Sequence, residues 1–211
     1  MRAALDQGWA LGGGIWNVDW DDARSGASEN LTALVANVGY GVGLGTRCDL
    51  EAGIRGEQAF VSFRWQPVGR SDDPFRSRRS PLDVSLEAGC GASALALVFP
   101  LVSYVPYAET YLGTNLSFPV GRTTPYLSYR CCWGTFRYRW PEGDPSGEVR
   151  SEWLQREAFF MGLDVPLSRD SNSRLDVEVY YGRSPRDVPV GTEITHEMWG
   201  LNVMYRIGAF D

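Results

Sequence analysis

The feature that most constrains this chain is a period-two alternation of apolar and polar residues that recurs along nearly its whole length. Successive side chains of a strand point to opposite faces of a sheet, so such a pattern predicts strands. It is clearest near the end, where Trp199, Leu201, Val203, Tyr205 and Ile207 share one face and His196, Met198, Gly200, Asn202, Met204 and Arg206 the other. Leu175, Val177, Val179 and Tyr181 separate in the same way from Asp176, Glu178, Tyr180 and Gly182. Leu127, Tyr129, Cys131 and Trp133 separate likewise from Tyr126, Ser128, Arg130 and Cys132. Helical periodicity is nowhere convincing.

The alternation predicts strands over 8–20, 31–45, 48–56, 58–66, 83–97, 104–118, 124–139, 152–166, 174–183 and 193–208. Its phase slips near Gly56: Leu50, Ala52 and Ile54 share one parity, and Ala59, Val61, Phe63 and Trp65 the other. A two-residue hairpin at Gly56-Glu57 explains the slip by pairing Arg55 with Gln58, and a β-bulge in one long strand is the rival reading. The hairpin gives ten strands, an even number, with eight as the alternative count. Pro67-Val68-Gly69-Arg70, Pro119-Val120-Gly121-Arg122 and Pro166-Leu167-Ser168-Arg169 each close a strand, and all three fall at one end of a ten-strand meander. The Asp-, Ser-, Gly- and Pro-rich segments 21–30, 98–103, 140–151 and 184–192 lie at the other. Residues 67–82 make a long connection at the end where turns are otherwise short.

Composition narrows the function classes. The 211 residues are expected to form one domain, 1–211, and a net charge of -6 excludes the basic face of a nucleic-acid binder. All 20 basic residues are arginine, from which no function follows. Cys48, Cys90, Cys131 and Cys132 fit neither a zinc pattern nor a CxxC motif, and the adjacent pair points to opposite faces of a strand, so no metal and no disulfide framework is expected. No cofactor motif is present. No apolar run is long enough for a transmembrane helix, which leaves a strand-built barrel open.

The pattern resembles the small outer-membrane β-barrel proteins of Gram-negative bacteria, the OmpA-like and OmpX-like barrels, over most of the chain. The resemblance rests on Gly8-Trp9-Ala10-Leu11-Gly12-Gly13-Gly14-Ile15-Trp16, on the strand start Thr124-Pro125-Tyr126-Leu127, and on the final alternating strand. It implies a closed antiparallel up-and-down transmembrane barrel in the bacterial outer membrane, with the secretory signal removed. The partners implied are the lipid bilayer and lipopolysaccharide, with other envelope proteins besides, and no nucleic acid. The family ends on an aromatic residue; here Phe210 is followed by Asp211.

In such a barrel one face meets lipid and the other meets itself. Trp65, Tyr129, Trp133, Tyr181, Trp199 and Tyr205, with Trp16, Trp20, Trp140 and Trp153, are expected at the lipid–water boundary. Glu51, Arg55, Arg64, Glu87, Glu109, Arg130, Arg156, Asp164, Asp176, Glu178 and Arg206, with Asp49 and Glu57, are expected to pair inside as a polar plug. A soluble lipocalin-like barrel would reverse the faces, and alternation alone does not choose between the two. The chain has a single histidine. His196 with Asp19, Asp21 and Asp22 is the one candidate catalytic constellation, and Ser93 or Ser128 would come near it as nucleophile only by chance of barrel geometry. Three functions follow from these readings: a structural, anchoring or assembly barrel without enzymatic activity; a narrow pore or transporter for small solutes; and a lipid hydrolase or protease using His196.

Overall fold

A computed structural model of the protein describes residues 8–22, 27–44, 47–55, 58–69, 82–93, 104–120, 123–139, 149–167, 173–183 and 194–208. They form ten strands: β1 (Gly8–Asp22), β2 (Ala27–Gly43), β3 (Cys48–Arg55), β4 (Gln58–Val68), β5 (Asp83–Ser93), β6 (Tyr104–Ser117), β7 (Thr124–Arg139), β8 (Val149–Pro166), β9 (Ser173–Arg183) and β10 (Ile194–Gly208). Each pairs antiparallel with its neighbours in sequence, and β10 returns to β1, closing a ten-stranded barrel. The eight-strand count and the single bulged strand over 48–66 are both set aside. β3 and β4 are separate strands, and Arg55 faces Gln58 across the hairpin. A register shift does occur in β4, but between Trp65 and Val68, where it pairs with β5.

The three Pro-initiated turns lie at the end of the barrel where β1 starts and β10 finishes. At one of them the amide and carbonyl of Val120 and Thr123 bond reciprocally across Gly121-Arg122. Gly69, with φ of +134°, takes the chain out of β4 in a conformation that a side chain would strain. The rest of the 67–82 connection, and most of the opposite loops, lie outside the described residues.

The register sets the tilt. The row that starts at Gly8 passes Gly41, Glu51, Ser62, Gly89, Tyr111 and Cys132 to Arg156. Arg156 adjoins Glu157, whose own row continues through Arg183 and Glu197 to Asp19. The first row therefore rejoins β1 at Trp20, twelve residues from its start. A shear of twelve over ten strands corresponds to strands inclined at about 40° on a barrel of about 10 Å radius.

The barrel is inside out relative to a water-soluble one. Met161 and Leu112 are each 58% exposed and Trp199 51%, with Leu201, Val203, Tyr205, Phe159 and Val179 exposed beside them, whereas Asp176 is 1% exposed and Arg64, Glu87 and Asn202 are buried. Allowing for the tilt, the outward apolar side chains form a continuous belt about 23 Å high, close to the hydrocarbon-facing band of a transmembrane barrel. Tyr40, Trp9, Trp65 and Tyr205 rim its lower edge, and Trp133, Tyr181 and Trp199 its upper edge. A belt of this size is far beyond the apolar patches that water-exposed surfaces carry, and a closed ring of strands leaves no edge unbonded in lipid. The lipocalin-like arrangement is thereby excluded.

Above the upper rim the outer face turns polar. Asn17 donates to Asn30 and Thr32 at 3.0 Å, and Arg183 meets Glu157 at 3.6 Å. Tyr129 keeps its ring in the belt while its hydroxyl donates to Glu157 at 3.1 Å.

A candidate functional site in the barrel interior

The interior is built by a recurrent device: a long polar side chain lies across a glycine on the next strand and reaches the strand beyond. Arg130 on β7 faces Gly113 on β6, which faces Glu87 on β5. With no Cβ at Gly113 in its way, the guanidinium crosses and donates to both Glu87 oxygens, at 3.1 and 3.3 Å. Tyr126 crosses Gly162 in the same manner, and its hydroxyl donates to Asp176 at 2.8 Å and Glu178 at 3.0 Å. Tyr180 crosses Gly200 towards Trp16, the two rings meeting edge to face with centroids 5.8 Å apart. Tyr111 lies over Gly89 and donates to Glu87 at 3.2 Å.

Among the described residues these crossings brace the ring of strands with side chains that reach across its interior. In its lower half Arg64 pairs with Asp49 at 3.3 Å and Glu51 at 3.7 Å, Arg206 with Asp176 at 3.3 Å, and Arg174 with Asp164 at 2.7 Å. Asn202 donates to Glu178 at 3.4 Å while its carbonyl accepts from Asn37 and from the Trp16 indole. In the upper half Arg156 pairs with Glu109 at 2.8 Å. Arg130 also stacks between Tyr111 and Phe160, at 5.0 and 4.7 Å from the ring centroids. Phe160 in turn stacks on Tyr180 with centroids 5.7 Å apart. Charges removed from water are tolerable only when paired and hydrogen-bonded, and among the described residues Arg64, Arg130, Arg156, Arg174 and Arg206 each meet a carboxylate. A void between Asn37, Glu51, Arg55, Phe60 and Met204 measures only about 10 Å³.

No protein-family model and no curated protein matches the chain. Its structure is similar to that of the outer membrane protease OmpT from Escherichia coli, with a TM-score of 0.53 at 9% identity over 96% of each chain. The fold is that of the outer-membrane β-barrels. The outer membrane protein OprG from Pseudomonas aeruginosa aligns at a TM-score of 0.47 and 9% identity over 100% of this chain and 99% of its own. Neisserial surface protein A aligns at 0.40 and 8% identity over 94% of this chain and 96% of its own.

Within this outer-membrane-type barrel, Glu51, Arg55, Arg64, Glu87, Glu109, Arg130, Arg156, Asp164, Asp176, Glu178 and Arg206 all share the inward face with Asp49; Glu57 lies outside the described residues. Trp65, Tyr129, Trp133, Tyr181, Trp199 and Tyr205 share the outward face. Trp16 departs from the expectation of a boundary residue: it faces inward and its indole donates to Asn202 at 3.3 Å. The side chains of Trp20 and Trp153, and the whole of Trp140, lie outside the described residues.

The His196 constellation is not assembled by what is described. Asp19 lies on the outer face, opposite Glu197, and its carboxylate accepts from Asn30. His196 is in register with Trp20, but its side chain and those of Asp21, Asp22 and Ser93 lie outside the described residues. Ser128 is inward and buried among the aromatics. The four cysteines are free thiols.

The residues that sequence reasoning missed are Tyr111, Tyr126, Tyr180 and Asn202. Each had the parity of the charged face, yet nothing in the sequence marks which tyrosine faces a glycine. Gly162→Ala tests the crossing device, because a Cβ there would overlap the Tyr126 ring. The expected cost is about 1–3 kcal/mol, as for other overpacked interiors. It is measured as a shift of the urea unfolding midpoint in detergent micelles; an unchanged midpoint would show that the tyrosine moves aside freely.

Proposed function

We propose that this chain is an outer-membrane barrel with a packed polar lumen, serving as a structural or anchoring element of the cell envelope and not as an open pore. The observation that carries this reading is the ion-paired network crossing the interior, above all Arg130 stretched from β7 over β6 to Glu87 on β5. Ions crossing such a lumen would have to break charge-assisted hydrogen bonds that are poorly screened there. The outer-membrane fold and the apolar belt support the location, and the belt with its polar upper rim suits the bilayer and lipopolysaccharide as partners. Single-channel recording in planar bilayers tests the proposal. Refolded protein verified by heat-shifted gel mobility is expected to give no resolved conductance steps at low voltage, while reproducible ohmic steps would favour the solute pore instead.

A further inference from the structure

A slot crosses the outer face of the barrel from β6 to β9, between two rows of outward side chains. Leu116, Leu127, Met161 and Val179 form the lower row, each opposite the next in register. Tyr129, Phe159 and Tyr181 form the upper row in the same way, and the Tyr129 and Phe159 rings meet with centroids 5.1 Å apart. The sheet between the rows is the floor. The slot encloses about 470 Å³, within the size range of sites that take one small ligand. Because the strands are inclined, it climbs about 14 Å of the belt's height between Leu116 and Tyr181. A hydrocarbon chain lying in it would be touched on three sides, where a smooth convex wall touches a lipid on one.

The upper end of the slot opens beside charged groups. Glu157 and Arg183 are the next outward residues above Phe159 and Tyr181, and they pair across β8 and β9 at 3.6 Å. Tyr129 joins the two regions, since its ring is a wall of the slot and its hydroxyl donates to Glu157 at 3.1 Å. Glu197 faces Arg183 from β10. The Arg183 side chain is 54% exposed and its contact with Glu157 is too long for a hydrogen bond, so among the described residues its guanidinium donors are untaken. One guanidinium flanked by two carboxylates is a poor partner for a bare anion, which Glu157 and Glu197 would repel. It suits a head group that carries both signs, with a phosphoryl oxygen on Arg183 and an ammonium on a neighbouring glutamate.

We propose that this face of the barrel binds one molecule of a phosphoethanolamine lipid, with an acyl chain in the slot and the zwitterionic head at Arg183 and Glu157. The site requires the belt to lie in a bilayer and is independent of whether the lumen conducts.

Native mass spectrometry of the barrel in detergent micelles, titrated with phosphatidylethanolamine or with phosphatidylglycerol of identical acyl chains, tests the site. One retained phosphatidylethanolamine is expected, with an affinity roughly tenfold or more above that for phosphatidylglycerol, the size of one charge-assisted hydrogen bond. Arg183→Gln should weaken phosphatidylethanolamine binding about tenfold by removing the head contact. Val179→Trp, which fills the slot, should weaken binding of both lipids. Heat-shifted gel mobility verifies folding of each variant. Retention that does not distinguish the two lipids, as for annular lipid only, overturns the proposal, and so does a preference for phosphatidylglycerol. Undiminished phosphatidylethanolamine binding in either variant overturns it as well, because head and chain contacts are both required.

Discussion

Replacing Arg130 with methionine is expected to destabilise the barrel by about 3–5 kcal/mol, the cost of leaving one member of a buried ion pair without its partner. Glu87 is 4% exposed and, among the described residues, would keep Tyr111 alone as a donor. The stack on Tyr111 and Phe160 would be lost as well. Urea unfolding in detergent micelles, followed by tryptophan fluorescence, measures the loss. The double variant Arg130→Met/Glu87→Gln should recover about half of it, because the stranded charge is gone. Equal stability of the single and double variants would mean that Glu87 finds another cation, and the network would then be less specific than its geometry implies.

Arginine in place of Met161 is expected to cost about 2–4 kcal/mol in lipid vesicles, the penalty for a cation near the middle of the hydrocarbon layer. Met161 is 58% exposed on the outer face, midway between the tryptophans and tyrosines that rim the belt. Arginine in place of Gln155, on the same strand and face but at the upper rim, should cost about 0–1 kcal/mol. The contrast between the two sites matters more than either value, since both substitutions place the same side chain on β8. Equal small costs would mean that the outer belt does not sit in a bilayer.

Strand number and the sorting of side chains into two faces were legible in the sequence because period two is a property of neighbouring residues. The phase slip at Gly56 located the β3–β4 hairpin, and the structure has Arg55 opposite Gln58 as that reading requires. Trp16 was misread because Gly12, Gly13 and Gly14 precede it, and three glycines in succession erase the alternation that would have given its parity. Asn202 was legible as an inward residue but not as a hub; its three partners, Trp16, Asn37 and Glu178, lie on three different strands.

What the amino-acid order alone determined is that this chain makes strands with one greasy and one ionisable face, in a number that closes evenly. Only the tertiary structure decided which face turns inward and which guanidinium meets which carboxylate. Closure and curvature fix the first, and the registers of the β5–β6 and β6–β7 pairs fix the second, because they set Arg130, Gly113 and Glu87 in one row although they come from three separate strands. Alternation within one strand carries no information about those registers, which depend on where each strand lies against the next.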